Sequence, residues 1–360
     1  MGKRVLIKLL DATWGLSSLI PATLGVGGFL AARLHPERYT ELQWLGLFLP
    51  LVLGINIVLM AYWMVRKKYW FVIPLLAVLL NIPYMPRIIQ WPFKQIDPAE
   101  RELTIATYNI QHGWGEGLPE ISREIAGFMQ DEKIDILCFQ EFPGNEERQQ
   151  MIIEAFGFLP YYRIHASSPG DLHIALFSRY PILRSRDIVF QDESNNTAMY
   201  ADLDVDGQII RIINNHLQTT NINQAGGNPL GSINQPTKVM RMREMMNENG
   251  VIRARQADRI RVMMDESSYP LIVCGDFNDT PASYTYRKIK GDLEDSFLAA
   301  GKGYAYTYRY LRKLLRIDYL FYSPGVFRAT RYYSPDLEYS DHKPVIVSLD
   351  VTPAPVEPEE

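Results

Sequence analysis

The chain has 360 residues, of which 47% are hydrophobic and 22% charged, so its length allows one large domain or two smaller ones. A net charge of −4 excludes a globally basic surface of the kind that slides along nucleic acid, and leaves open only a local basic groove. The two cysteines, Cys138 and Cys274, lie in apolar strand-like runs, so we expect buried free thiols rather than a disulfide.

The N-terminal part of the chain carries three apolar stretches, at residues 12–32, 42–65 and 69–86. A membrane span needs roughly 20 apolar residues, which the first two stretches provide, whereas Pro74 and Pro83 interrupt the third. We therefore predict a membrane region over residues 1–92 with two or three transmembrane helices. A cleaved signal peptide and buried soluble helices are the alternatives, but the first stretch is long for a signal and the runs are apolar all round.

The orientation of this region follows from its flanking charges. Basic residues precede the first stretch, and Arg66, Lys67 and Lys68 separate the second from the third, so both flanks are expected in the cytoplasm. Three spans then place the rest of the chain outside the cytoplasm, and two spans place it inside. We predict an integral protein of the plasma or inner membrane with an extracytoplasmic catalytic domain, an orientation that depends on the proline-interrupted third span.

Beyond a linker at residues 93–101, the pattern changes to short apolar runs that indicate strands. These runs are residues 103–108, 134–139, 209–213, 271–274, 317–322 and 345–349. Helices are predicted over residues 119–130 and 235–266, the second broken near Asn249-Gly250. Residues 102–351 are thus predicted to be the catalytic domain, and residues 352–360, rich in proline and glutamate, a disordered tail.

Each predicted strand has an Asn, Glu, Asp or His side chain, which can bind a metal or transfer a proton, at or beside one end. Turns favour Asn and Asp, so one such residue is unremarkable, but six strands of this kind in one domain predict a cluster at a common rim. The residues are Asn109, Glu141, His216, Asp276 with Asn278, Asp318, and Asp341 with His342.

The oxygen-bearing members of this set suit a hard divalent cation. Mg²⁺ and Mn²⁺ prefer oxygen ligands, which the side chains of Asn109, Glu141, Asp276 and Asp341 provide. Water would fill the remaining positions. Carboxylates gathered without a cation would raise one another's pKa values, so the cluster makes better sense with a metal. A divalent ion beside a phosphate polarises a phosphoryl oxygen and stabilises the leaving oxygen.

The two histidines of the set, His216 and His342, are among only six in the chain. One can take a proton from an attacking water while the other serves the phosphate or leaving group. Asp318 can orient a neighbouring imidazole, and Asn278 can donate a hydrogen bond to a phosphoryl oxygen. The alternatives are a plain surface histidine at His216 and an ordinary turn at Asp341-His342.

Seven short segments carry a family resemblance. Gly275-Asp276-Phe277-Asn278-Asp279 and Ser340-Asp341-His342-Lys343-Pro344-Val345 are specific. The others are Thr107-Tyr108-Asn109-Ile110, Phe139-Gln140-Glu141, Ser178-Arg179-Tyr180-Pro181-Ile182, Asn214-Asn215-His216-Leu217-Gln218 and Arg316-Ile317-Asp318-Tyr319. In this order, across residues 102–350, the chain resembles the endonuclease/exonuclease/phosphatase superfamily, which includes pancreatic-type deoxyribonuclease, neutral sphingomyelinases and inositol polyphosphate 5-phosphatases.

The resemblance implies an α+β fold, a four-layer αββα sandwich preceded here by the helical membrane region, and hydrolysis by a metal-assisted water without a covalent intermediate. It makes Glu141 the main metal ligand, aided by Asn109 and Asp341. It gives Asp276 and Asn278 the positioning of nucleophile and phosphate, and it brings His216 to the phosphate or leaving group. It pairs His342 with Asp318 as an acid/base dyad, without deciding which member is the base.

One departure and one open choice limit the resemblance. Abasic-site enzymes carry an acidic residue two positions after the Asn, where this chain has Gln111, which leaves their metal arrangement open.

The membrane region favours a phosphoester at or near the membrane, such as a lipid head group or a small phosphodiester. A tethered nuclease acting on nucleic acid is the alternative, supported by the arginine-rich stretch 241–261, which is otherwise a solvated helix face. A non-catalytic binding protein is least favoured, and no obligate protein partner is evident.

Overall fold

The structure, a computed structural model, describes residues 2–166, 172–190, 192, 194, 196–220 and 236–352. Its N-terminal region is helical. The elements are α1 (Lys3–Ser17), α2 (Leu19–Ala31), α3 (Leu42–Leu47), α4 (Leu49–Val65) and α5 (Val72–Leu80), with 3-10 turns at Tyr69–Phe71 and Ile82–Arg87. Among the described residues, one stretch, Leu9–Ala31, is long and apolar enough to cross a membrane, and Leu49–Val65 and Tyr69–Leu80 are shorter apolar helices.

The predicted second span at residues 42–65 is not one helix. Phe48 separates α3 from α4, and Pro50 lies in the first turn of α4. Proline suits that position because the first N–H groups of a helix have no acceptor within the helix.

Close approach and internal polar contacts fasten these helices to one another. A Cβ added to Gly28 of α2 would lie 2.5 Å from a methyl carbon of Leu49, so the glycine leaves room for the Leu49 side chain of α4 to pack against α2. The side-chain amides of Asn56 and Asn81 donate to carbonyl oxygens of α2 at 2.8 and 3.0 Å. The side-chain N–H groups of Asn56, in the second apolar stretch, are therefore paired inside the helix cluster.

Large apolar side chains cover the outside of the same region. Leu51, Ile55 and Val58 on α4 and Leu76 and Leu79 on α5 are between 44% and 68% exposed. With asparagine inside and leucine outside, these helices show the reverse of the pattern expected for a water-soluble bundle.

The remainder of the chain is built on two six-stranded sheets. The strands are β1 (Ile89–Gln90), β2 (Glu102–Asn109), β3 (Ile136–Pro143), β4 (Tyr161–Ala166), β5 (Leu172–Ser178), β6 (Ile182–Ile188), β7 (Thr197–Val205), β8 (Gln208–His216), β9 (Leu271–Asp276), β10 (Glu294–Asp295), β11 (Gly303–Tyr304), β12 (Asp318–Tyr322), β13 (Phe327–Tyr333) and β14 (Val345–Val351). Sheet I has the order β13-β14-β2-β3-β5-β4, sheet II has the order β10-β12-β9-β8-β7-β6, and β1 pairs with β11. Strands lie at all six apolar runs predicted from the sequence.

Helices accompany both sheets. They are α6 (Leu118–Asp131), α7 (Glu146–Ala155), α8 (Pro236–Asp265), α9 (Tyr284–Lys290), α10 (Ser296–Ala300) and α11 (Tyr310–Lys313). Side chains of α6 and α7 pack on sheet I, side chains of α8 and α9 pack on sheet II, and a third cluster fills the space between the sheets. Cys138 and Cys274 lie in that central cluster as free thiols. This is the four-layer α+β sandwich predicted from the sequence.

The predicted break in the long helix near Asn249-Gly250 is wrong, because α8 runs without interruption from Pro236 to Asp265. Gly250 serves close packing instead. A Cβ added there would lie 1.5 Å from Oε1 of Gln43, so the glycine makes room for the N-terminal region.

The arginine-rich face of α8 receives the loop between α2 and α3. Arg243 donates through Nε to Glu41 at 3.0 Å, and Arg255 donates through Nε to Glu37 at 2.8 Å. His35 lies 3.2 Å from a carboxylate oxygen of Asp258. Two of the arginines in the stretch therefore pair with acidic residues of the same chain.

A buried ion pair near the rim yields a stability prediction. Arg316 binds both carboxylate oxygens of Asp295 at 3.0 and 2.7 Å, both residues are buried, and Tyr286 donates its hydroxyl to the same carboxylate at 2.7 Å. Replacing Asp295 with alanine should lower the free energy of unfolding by about 3–5 kcal/mol, because the guanidinium stays buried without its counter-charge. Denaturant unfolding of the purified chain measures this loss.

The exposed pair of Glu120 and Arg123, 3.5 Å apart, offers the matched control. Glu120→Gln should leave the unfolding midpoint unchanged, because exposed ion pairs contribute little. Equal unfolding midpoints for Asp295→Ala and Glu120→Gln would show that the buried pair does not stabilise the fold.

Candidate active site

The strand ends that carry the predicted residues meet at one rim. In sheet I, β2 and β3 run parallel, with Asn109 opposite Gln140. In sheet II, β8 and β9 run parallel, with His216 opposite Asp276, and the antiparallel β12 places its first residue, Asp318, opposite Asp276. Because the sheets face each other, their neighbouring strand ends bring these side chains into one cluster.

Glu141 owes its position to an irregularity in β3. The pairing of β3 with β5 shifts register between Phe139 and Phe142, and Glu141 has a φ of +54°, which non-glycine residues rarely adopt. Its carboxylate accepts from Asn109 Nδ2 at 3.2 Å and from the backbone N–H of His112 at 3.0 Å. The bulge therefore directs the carboxylate into the cluster, a placement typical of functional sites.

Asp276 lies at the centre of the cluster and is 1% exposed. Oδ2 accepts from Asn109 Nδ2 at 3.0 Å and from Asn278 Nδ2 at 3.1 Å, and Oδ1 accepts from the backbone N–H of Asn278 at 2.8 Å. Burial, with the charge of Asp318, raises the pKa of Asp276 although His342 and His216 oppose the rise.

Asn278 differs from the expectation of a free donor to phosphate. Its Nδ2 also donates to the carbonyl oxygen of Leu217 at 3.0 Å, so both amide hydrogens are used within the protein. In this arrangement Asn278 orients Asp276, and donation to a phosphoryl oxygen would require one of these bonds to be exchanged.

His342 and Asp318 form a buried pair. His342 Nδ1 lies 3.1 and 3.0 Å from the two carboxylate oxygens of Asp318, and His342 Nε2 lies 3.6 Å from Oδ2 of Asp276. Burial disfavours the charged imidazole, but the two carboxylates outweigh it and raise the pKa of His342 to about 10. The pair therefore fixes the ring with Nε2 facing the centre of the cluster.

The remaining predicted residues lie around this centre. His216 Nε2 is 3.8 Å from Oε1 of Glu141 and 3.9 Å from Oδ2 of Asp276. Burial, with the charges of Glu141 and Asp276, raises the pKa of Asp341 against the opposing effect of His342. All eight residues predicted from the sequence are thus brought to the same rim.

The donor set fits a divalent cation. The four carboxylates of Glu141, Asp276, Asp318 and Asp341 share the rim with the imidazoles of His216, His342 and, at its exposed edge, His112, so the described cluster gathers more acidic than basic groups. Asp276, Asp318 and His342 also have potential ligand atoms within 4.8 Å of one another. Carboxylate and amide oxygens in this number are the ligands of a hard cation, and a bound cation would relieve the mutual repulsion.

Other polar residues at the strand ends turn inward and hold the sheets together. Asn214 donates to the carbonyl oxygens of Phe139 and Ala175 at 3.1 and 3.0 Å, which links sheet II to sheet I. Gln140 donates to Asn214 at 2.6 Å and is fully buried. Asn214 and Gln140, although they belong to the motif segments, therefore hold the two sheets together and do not face the site.

Two residues that the sequence interpretation did not assign also contact the site. Gln111 donates its backbone N–H to Oδ1 of Asn109 at 3.0 Å and accepts the backbone N–H of Asp341 at 3.1 Å. Gln111, which stands where abasic-site enzymes have an acidic residue, therefore links the predicted metal ligands Asn109 and Asp341 by hydrogen bonds. His112 is exposed, and its Nε2 lies 3.7 Å from Oε2 of Glu141. Its position two residues after the segment Thr107-Tyr108-Asn109-Ile110 is the sequence feature that could have indicated it.

Solved structures support the assignment of the fold. An endonuclease/exonuclease/phosphatase from Bacteroides vulgatus superposes with a TM-score of 0.53 at 20% identity, over 70% of this chain and 100% of that one. The human Nocturnin catalytic domain gives 0.51 at 19% identity, over 73% and 100%. Truncated Caenorhabditis elegans TDP2 gives 0.51 at 16% identity, over 71% and 100%.

Sequence comparisons identify the family. No curated protein sequence matches the chain. Residues 8–88 match a family model described as a domain of unknown function. Residues 106–342, about two thirds of the chain, match the model of the Endonuclease/Exonuclease/phosphatase family, and every predicted site residue lies within that match. The chain therefore belongs to the endonuclease/exonuclease/phosphatase family and is a hydrolase that acts on ester bonds.

Proposed function

We propose that the protein is a membrane-anchored, divalent-metal-dependent phosphoester hydrolase that directs a water molecule at phosphorus. One observation carries the proposal. The side-chain amides of Asn109 and Asn278 and the imidazoles of His216 and His342 converge at one rim, within 3.0 to 3.9 Å of the carboxylate of Asp276 or Glu141.

We assign the cation to Glu141, Asn109 and Asp341. The Glu141 side chain is 18% exposed, whereas those of Asp276 and Asp318 are nearly inaccessible and already bound to His342 or to amides. Mg²⁺, or Mn²⁺, suits such oxygen ligands. When bound, the cation would polarise a phosphoryl oxygen and stabilise the leaving oxygen.

His342 and Asp276 divide the proton chemistry in this proposal. With a pKa of about 10, His342 holds its proton at neutral pH, and because Nδ1 faces Asp318, the hydrogen on Nε2 is the one offered to a phosphoryl or leaving oxygen. Asp276 is then the acceptor for the proton of the attacking water, since burial favours its protonated form. Asn278 and Asn109 hold its carboxylate in place, and His216, beside Glu141 and Asp276, is proposed to contact the phosphate.

The N-terminal region supports membrane anchoring. Its outer surface is apolar, and the two basic residues Arg66 and Lys68 pair with Asp11 of α1 at 2.8 and 2.9 Å, whereas the loop between α2 and α3 contacts α8. We therefore propose that the chain passes three times between the basic end and the catalytic domain. Three passes favour an extracytoplasmic catalytic domain under the rule that basic flanks stay in the cytoplasm.

This orientation predicts the outcome of proteolysis on intact cells. An external protease should digest the catalytic domain while a cytoplasmic marker protein survives, because the domain and the Arg66–Lys68 end lie on opposite faces of the membrane. Survival of the catalytic domain in intact cells, with digestion only after lysis, would place it in the cytoplasm and refute the three-span topology.

The paired arginines favour a substrate at the membrane over nucleic acid. A nuclease binds backbone phosphates through free basic side chains. In α8, Arg243, Arg253 and Arg255 pair with acidic residues, and Arg261 lies 2.8 Å from Asp265. A lipid head group or a small phosphodiester near the membrane needs no such basic surface, and tethering raises its local concentration.

A substrate panel tests this choice. The full chain in detergent should hydrolyse a phosphoester of the lipid class, such as sphingomyelin or a phosphoinositide, in Mg²⁺ and not in excess chelator. Plasmid DNA and oligonucleotides should be cut slowly or not at all under the same conditions. Fast, salt-sensitive cutting of DNA without hydrolysis of any lipid would instead establish the tethered nuclease.

A further inference from the structure

The loop that follows Asp276 joins the candidate site to the N-terminal helices. It spans residues 277–283, from the end of β9 to the start of α9. Its first half belongs to the site, where Asn278 holds Asp276 and the carbonyl oxygen of Asp279 accepts the hydroxyl of Tyr319 at 2.8 Å. The support for its second half comes from a different part of the chain.

Pro281 and Ala282 contact the N-terminal region directly. Arg87, at the end of the helical region, donates through Nη1 to the carbonyl oxygen of Pro281 at 3.0 Å, and its guanidinium lies 5.0 Å from the ring centroid of Tyr286. Ala282 is 2% exposed and packs in an apolar cluster with residues of the first 84 positions. That cluster consists of Leu49, Leu53, Tyr84 and Ala282.

Gly46 of α3 makes the closest approach. A Cβ added to Gly46 would lie 2.9 Å from the carbonyl oxygen of Ala282, a backbone atom that can move only if the loop moves. Three residues separate Ala282 from Asn278, so a displacement at one end of the loop reaches the groups at the other. Errors of about 1 Å in the position of reacting groups can cost a hundredfold in rate.

We propose that the N-terminal helical region is part of the active-site scaffold, and that Gly46 and Arg87 are positioning residues for Asn278 and Asp276 through the loop 277–283. The inference rests on the proposed roles of Asp276 and Asn278. It makes the helices more than a tether, because their contact with Pro281 and Ala282 sets the geometry of the site.

The test compares two glycine substitutions in the full chain. Gly46→Ala adds the Cβ that crowds Ala282, while Gly54→Ala adds one in the interior of α4 where nothing lies within 4 Å. Alanine is favoured over glycine in a helix, so neither change should weaken its own helix. Hydrolysis of bis(p-nitrophenyl) phosphate in Mg²⁺ gives kcat and KM, and thermal unfolding checks the fold.

We expect Gly46→Ala and Arg87→Ala to lower kcat about tenfold or more with little change in KM, and Gly54→Ala to match the wild type. Introducing Gly46→Ala into Asn278→Ala should cause no further loss, because the residue that the loop positions is already gone. Wild-type kcat in Gly46→Ala and Arg87→Ala, with activity lost in Asn278→Ala, would overturn this inference alone. Full activity of Asn278→Ala would overturn the assigned roles and the inference with them.

Discussion

Glutamine in place of Glu141 should lower kcat for phosphodiester hydrolysis by about a hundredfold to a thousandfold, the loss typical of removing one preorganised charged group from a reacting centre. The change is nearly isosteric, so the register shift in β3 and the hydrogen bond from the backbone N–H of His112 can persist. What disappears is the negative charge that the proposed cation site needs. A steady-state assay over a range of Mg²⁺ concentrations measures both the loss in kcat and the higher Mg²⁺ requirement.

Glu120→Gln is the matched control for this substitution, because Glu120 is exposed on α6 and its carboxylate contacts only Arg123 at 3.5 Å among the described ion pairs. It should keep the wild-type rate and the wild-type Mg²⁺ requirement. A Glu141→Gln variant with the same Mg²⁺ dependence as this control would contradict the assignment of Glu141 to the cation.

Removal of the His342 imidazole should have an effect of similar size. General acid–base groups contribute about a hundredfold to ten-thousandfold to rate, and His342→Ala removes the imidazole whose Nδ1 is held by the buried carboxylate of Asp318. Asp318→Asn should approach the same loss, because the amide no longer stabilises a charged ring. The double variant should be no slower than His342→Ala, since the two residues act as a unit.

His165→Ala is the control for this pair. His165 lies on β4, 3.4 Å from Ser185 and outside the rim cluster, so its removal should leave kcat unchanged. Additive losses for His342→Ala and Asp318→Asn would mean that the two side chains do not work as a dyad.

The convergence of the named residues at one rim was predictable because strand ends and short motifs are local signals. Asp276, Asp318 and His342 stand at strand boundaries, and the sheet register alone brings Asp318 opposite Asp276. Because β2 and β3 are parallel and β8 and β9 are parallel, their carboxyl ends lie on one side of each sheet. The rim cluster follows from that arrangement.

The polar residues that face away from the rim were not predictable in the same way. Asn214 and Gln140 belong to the same segments as His216 and Glu141, but they point between the sheets and satisfy buried carbonyl oxygens. Side chains alternate along a strand, so a shift of one residue decides between the site and the core. The bulge at Glu141 changes that alternation, and no single residue in the sequence predicts the bulge.

The packing of the N-terminal region against distant segments could not be predicted from the sequence either. Gly250 is typical of a helix break, and the break was predicted there, but the glycine instead admits Gln43 from a segment two hundred residues earlier. The arginines of α8 look like a solvated or substrate-binding face until Glu37 and Glu41 are placed beside them. Contacts between distant segments leave no periodic pattern, so these could be known only from the fold. The disordered tail was predicted at residues 352–360, of which 353–360 lie outside the described residues.

Hydrolysis of bis(p-nitrophenyl) phosphate by the full chain in detergent, with Mg²⁺ and with excess chelator, tests the central claim most directly when Glu141→Gln is measured beside the wild type. Metal-dependent phosphoester hydrolysis at this rim predicts a wild-type rate that chelator abolishes and Mg²⁺ restores, and a rate in Glu141→Gln lower by about a hundredfold or more. Hydrolysis that persists in chelator, or that is equally fast in Glu141→Gln, would contradict it.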